Sequence, residues 1–91
     1  MKKKFAGELL SGHKQDAVAV PFDPARDWKL QSQRLRPGRH GFRVKATING
    51  RAFESAIVPR QKRWFLLIDS EVARSAGVSL ADTVQVTVEP L

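Results

Sequence analysis

Residues 42–59 read FRVKATINGRAFESAIVP, with apolar and polar positions alternating on both sides of Asn49-Gly50. Two adjacent residues that tolerate positive φ suit a two-residue type I′ turn, whose twist matches that of the strands it joins. Such a turn sets the register: Ile48 opposite Arg51, Ala46 opposite Phe53, Lys45 opposite Glu54, Val44 opposite Ser55 and Phe42 opposite Ile57. At a side-chain period of two, Phe42, Val44, Ala46, Ile48, Phe53 and Ile57 line a core face, and Arg43, Lys45, Thr47 and Glu54 a wet one. Lys45 and Glu54 are expected to form a cross-strand ion pair worth about 0.2–1 kcal/mol. A slip by one residue buries Arg43 and Lys45, so the register is firm.

The rest of the chain supplies further strands and little helix. Apolar runs at residues 4–10 (KFAGELL) and 17–22 (AVAVPF), separated by SGHKQD, predict a loose opening hairpin. Asp23 then caps a single helical turn, PARDW, with Pro24 at its first position. Residues 29–41, KLQSQRLRPGRHG, show no period and carry Pro37-Gly38 and Gly41, which reads as a loop and as the most mobile segment. After a turn at residues 59–62, the unbroken run WFLLI at 64–68 predicts a strand covered on both faces. Asp69 or Ser70 starts a short helix reaching about Ala76, with Glu71 near its positive end, Arg74 near its negative end and Gly77 as a left-handed stop. Finally, TVQVTVE at residues 83–89 alternates again, with Val84, Val86 and Val88 inward. About six strands, one short helix and a helical turn predict a mainly β fold, a small antiparallel barrel with the helix capping one end.

A chain of 91 residues makes one domain, and one of this size buries roughly two-thirds of its unfolded surface in a single modest core. Cysteine is absent, which excludes disulfides and thiolate metal sites and suits a reducing cytoplasm. The start, MKKKF, has the charge of a signal n-region, but AGELLSGHK places Gly, Glu, Ser and His where an apolar stretch belongs. The chain is therefore expected to be mature and cytoplasmic. No segment approaches the about 20 apolar residues that cross a bilayer, so no membrane partner is expected.

Charge changes the picture more. The formal net charge is +7, and the cations crowd the middle: Arg34, Arg36, Arg39, Arg43, Lys45, Arg51, Arg60, Lys62 and Arg63 face only Glu54. Because the segments before Phe42 and after Ile57 leave the same open end of the hairpin, Arg34, Arg36, Arg39 and Arg43 are expected to approach Arg60, Lys62 and Arg63. Converging cations repel unless they splay into water or meet an anion, and guanidinium forks suit phosphate. A solvated, solubilising rim is the plainer account of the same residues. Trp28 and Trp64 are candidates for a base-stacking surface, although Trp64 within WFLLI fits a core role better.

Catalytic chemistry finds little material. His13 and His40 are the only histidines, no serine sits in a nucleophile elbow, and Asp16, Asp23 and Asp27 match no ligand spacing. No metal, cofactor or reaction is expected.

Five blocks in order, PFD, VKATING, the strand end Ile68-Asp69, EVARSAGV and DTVQVTVEP, together resemble a small prokaryotic domain family of unknown function often found beside bacteriocin-protection (YdeI/OmpD-associated) domains. The resemblance spans residues 5–90. It implies a double-split β-barrel, similar to the swapped-hairpin DNA-binding domains of antitoxins and transition-state regulators but with both halves in one chain; it implies no catalytic residues. The chain departs from the family pattern twice. Arg60-Gln61-Lys62-Arg63 replaces a Gly-rich stretch, and Ala81-Asp82 replaces Gly-Asp, where a positive φ at Ala81 would be strained. The expectation for function is a non-enzymatic binding module that engages nucleic acid or another polyanion through its Arg-rich end. The alternative is a structural or protein-interaction module, pairing as a homodimer or with a partner through an open strand edge.

Overall fold

A computed structural model describes residues 2–12 and 15–91, with the side chain of Arg36 outside the description. His13 and Lys14, at the centre of the expected opening loop, lie outside the described residues.

Seven strands and two short helices follow one another as β1 (Lys3–Leu10), β2 (Asp16–Val20), α1 (Pro24–Trp28), β3 (Gln33–Arg36), β4 (Arg39–Ile48), β5 (Arg51–Arg60), β6 (Arg63–Ile68), α2 (Ser70–Ala76) and β7 (Thr83–Pro90). All pairings are antiparallel in the order β3-β4-β5-β6-β2-β1-β7, and β4 also pairs with β7. Six strands thus close into a barrel, and β3 is attached outside it along the first residues of β4. Closure removes the free edges that an open sheet presents.

The central hairpin has the register set by Asn49-Gly50, from Ile48↔Arg51 through Lys45↔Glu54 to Phe42↔Ile57. Both turn residues have positive φ, 51° and 80°, as a type I′ turn requires. Phe42, Val44, Ala46, Ile48 and Ile57 are buried in one core with Val18, Leu66, Ile68, Val84, Val86 and Val88, and Phe53 is half-buried against it. The expected Lys45–Glu54 ion pair does not form. Lys45 also stands opposite Glu89 of β7, and the ion pairs among the described residues are Lys3–Asp27 and Arg26–Asp27. An exposed lysine with two carboxylate neighbours gains little by holding either one.

Residues 29–41 are not one loop. Gln33–Arg36 pairs with the start of β4, Gln33 opposite Gly41 and Arg34 opposite His40, with an irregularity before Arg36↔Arg39. Pro37-Gly38 is the connecting turn; φ of 79° at Gly38 suits the second central position of a type II turn. The arm lies on the outer face of the barrel. A Cβ on Gly41 would come within 2.4 Å of the Ile57 carbonyl oxygen and 3.1 Å of Leu35 and Val58 side-chain carbons, so only glycine permits this approach.

α1 seals a seam. β1 and β2 share only Leu9↔Val18 and Leu10↔Ala17 before diverging, and beside that opening Phe22 makes edge contacts with Phe5 and Trp28, centroids 6.2 and 5.3 Å apart. Asp23 caps the helix by accepting from the Ala25 and Arg26 amides at 3.0 and 3.3 Å. Trp28 is buried, which removes it as a stacking surface. α2 docks on the tip of the central hairpin: Asn49 Nδ2 donates to the Ala76 carbonyl at 2.9 Å and Arg51 to the Ser75 hydroxyl at 2.6 Å. Asn49 therefore shapes its turn and also satisfies a helix C-terminal carbonyl. With α2 on the tip at residues 49–50, the turns at residues 37–38 and 61–62 are left at the other end.

Candidate functional site: the two Arg-flanked turns

Each of those two turns is flanked by two arginines at opposed positions in the backbone register. Arg36 is opposite Arg39 around Pro37-Gly38, and Arg60 is opposite Arg63 around Gln61-Lys62. The turns lie side by side: Gly38, Arg39 and His40 from one hairpin and Val58, Pro59 and Arg60 from the other line a single cleft of about 360 Å³. Val58 and Pro59 supply its apolar lining, and Arg39 and Arg60 its cations. Continuing the β4–β5 register past its last pair, Phe42↔Ile57, brings Arg39 level with Arg60.

The sequence-derived set divides as follows. Arg39 and Arg60 share the cleft, Arg63 opposes Arg60, and Lys62 is exposed at the turn. Arg34 is exposed on β3 opposite His40. Arg36 takes its backbone place opposite Arg39, and its side chain is outside the description. Arg43 goes elsewhere: it lines a separate groove of about 400 Å³ with Arg39, Glu54 and Asp69, where nearby carboxylates offset its charge. Arg34, Arg39, Arg43, Arg60, Lys62 and Arg63 take part in neither ion pair of the described residues. Arg51, bound to Ser75, faces the opposite end.

The turn at residues 61–62 is strained. Gln61 and Lys62 have φ of 52° and 65°, and a side chain in the left-handed region costs roughly 1–2 kcal/mol per residue. Arg63 covers Phe65, its guanidinium 5.7 Å from the ring centroid, and Trp64 leans on Phe42 at 5.5 Å. Trp64 thus belongs to the rim of the core.

The acids of the first third have structural tasks. Asp23 caps α1, and Asp27 receives Lys3 at 3.3 Å and Arg26 at 3.2 Å. Lost hydration raises the Asp27 carboxyl, but hydrogen bonds from Arg26 and Lys3 and their charges outweigh it and hold the group below its ordinary value. Among the described residues no group of His, Asp and Glu has a metal-binding arrangement.

His40, Val58 and Pro59 also line the cleft. The sequence pattern does not mark them as lining: His40 falls in a segment read as a loop, and Val58 and Pro59 fall where a strand end meets a turn. A signal was present: Arg-Pro-Gly-Arg and Arg-Gln-Lys-Arg repeat one spacing, an arginine on each side of a two-residue turn.

A family model described as "Domain of unknown function (DUF1905)" matches residues 5–88. Among curated proteins, no relative matches the chain.

Proposed function

The chain belongs to the DUF1905 family, a membership that assigns no activity, and we propose that it is a non-enzymatic binding module whose paired hairpin turns hold the phosphates of a nucleic acid. One observation carries this reading: Arg39 and Arg60 face one cleft from adjacent hairpins with no carboxylate in its lining. Guanidinium groups brought together at the cost of mutual repulsion lower that cost by sharing an anion, and a phosphate accepts the bidentate fork that arginine presents. The opposed Arg60 and Arg63 extend the same field along β5 and β6. A cysteine-free chain that keeps such a field suits the cytoplasm, where nucleic acid is available.

The test is a salt titration with fluorescently labelled oligonucleotides. If four arginines each meet a phosphate, log K falls against log salt with a slope of about −3.6 on duplex and about −2.8 on single strand. Replacing Arg36, Arg39, Arg60 and Arg63 together by alanine should flatten that dependence; an unchanged slope, or no binding at low salt, refutes the reading.

The outer edge of β3 has no strand beside it among the described residues, which favours an alternative in which a second copy or a partner chain adds there. Light scattering across concentration separates the two, since a protein that binds nucleic acid as a strict monomer has no need of that edge.

A further inference from the structure

Two turns of this chain meet the same geometric demand with different residues. Asn49-Gly50 and Gln61-Lys62 are both two-residue connections with positive φ at each position, 51° and 80° in the first and 52° and 65° in the second. Asn and Gly enter that region at little cost, whereas Gln and Lys bring a Cβ and a long side chain into it. The unstrained solution sits docked under α2, and the strained one stands exposed between Arg60 and Arg63. At the strained turn, four consecutive long polar side chains, Arg60, Gln61, Lys62 and Arg63, are exposed; an Asn-Gly pair would leave only the two arginines. Backbone strain concentrates where side chains serve a ligand.

The surroundings define that ligand. Proteins that hold single strands stack successive bases on aromatic side chains; among the described residues no phenylalanine or tryptophan is exposed, and the exposed His40 imidazole at the cleft is a single ring, which makes no stacking platform. Trp28 is buried, Trp64 leans on Phe42, and Phe65 lies under Arg63. A two-stranded ribbon, in contrast, enters the major groove of B-form DNA, about 12 Å wide. Arg and Lys there contact guanine edges and phosphates, and Gln contacts adenine. Duplex RNA presents a deep, narrow major groove that side chains do not read.

We infer that the β5–β6 turn enters the major groove of duplex DNA, with Gln61 and Lys62 toward the base edges and Arg60 and Arg63 on the flanking phosphates. This rests on the nucleic-acid reading above and makes it specific. Fluorescence anisotropy with three labelled probes, a DNA duplex, one of its strands and the matching RNA duplex, tests it on the full chain and on the double variant Q61N/K62G. The wild-type chain should bind the DNA duplex most tightly. Q61N/K62G should melt at a higher temperature yet lose about ten-fold in duplex affinity, as loss of a base-edge contact does, while its salt slope, set by the phosphate contacts of Arg60 and Arg63, stays within about 0.5 of wild type. If that variant misfolds, K62A, which keeps a Cβ at the same φ, should show the same loss of affinity. Equal binding by wild type and by the folded turn variant, while the four-arginine variant loses it, overturns the groove assignment and leaves the broader reading standing. Preference for the single strand or for the RNA duplex overturns the assignment in the same way. Absence of binding to all three probes overturns both.

Discussion

Replacing Gly41 by alanine examines how the arm bearing Arg36 and Arg39 is seated. Gly41 is buried, and a Cβ there would lie 2.4 Å from the Ile57 carbonyl oxygen and 3.1 Å from both Leu35 Cδ1 and Val58 Cγ1. Carbon contacts relax at about 3.5–4.0 Å, so the added methyl must push the strands apart by about 1 Å. The nearest atom is backbone, so no rotamer change relieves it. Inserting a methyl into such packing costs typically about 1–3 kcal/mol; because a backbone oxygen and two side chains must all give way, the upper part of that range is expected. For a domain of this size each kcal/mol lowers Tm by about 4–8 °C. Urea denaturation and a thermal scan on Gly41→Ala read the loss directly, and amide exchange along the β3–β4 pairs from Gln33↔Gly41 to Arg36↔Arg39 reports whether the arm itself has opened. Gly38→Ala is the control, since nothing lies within 4 Å of its Cβ position and only its φ of 79° resists a side chain. A Gly41→Ala protein within about 0.5 kcal/mol of wild type, or one no less stable than Gly38→Ala, would refute the close-packed arm.

Three further outcomes follow from the same contacts. Ala81 has φ of 73°, and Ala81→Gly should stabilise by about 0.5–1 kcal/mol once the greater unfolded freedom of glycine is deducted; a lower Tm contradicts the strain argument. Asp23→Ala removes the acceptor for the Ala25 and Arg26 amides and should cost about 1 kcal/mol, with loosening of Trp28 visible as a weaker near-ultraviolet circular dichroism signal. The Asp27 carboxyl should titrate below 3.8 by NMR. Because a depressed carboxyl stabilises the fold above its unfolded value, that contribution should fade as pH falls below about 4, and Asp27→Asn should remove this part of the pH dependence; titration at or above 3.8 contradicts the Lys3 and Arg26 contacts.

Local patterns held much of the fold because their physics is local. A period of two together with Asn49-Gly50 determines every pair from Ile48↔Arg51 to Phe42↔Ile57. The Asp23 cap and the Gly77 stop with φ of 73° are likewise readable, since each concerns a residue and its near neighbours; the positive φ of Ala81 is suggested only by the family resemblance, where Gly-Asp stands in its place. The approach of Arg39 to Arg60 belongs with the cap and the stop, because both segments leave the open end of the hairpin once its register is known; the two-residue turns at 37–38 and 61–62 do not, since the pattern there reads as a loop at 29–41 and a turn at 59–62.

The tertiary structure alone decided what touches what across distant segments. β3 carries little apolar signal, and its Leu35 comes over the barrel wall beside Val58 only because Gly41 has no Cβ to hold the arm off. β7 closes on β1 and β4, which puts Glu89 beside Lys45 and dissolves the ion pair that the hairpin by itself implied. Asp69, just after β6, joins Arg43 and Glu54 along one groove, a neighbour that the hairpin by itself does not provide. Alternation and turn chemistry report which face of a strand is oily, but the identity of the neighbour across a barrel wall depends on contacts between residues far apart in the chain, and no local period records those.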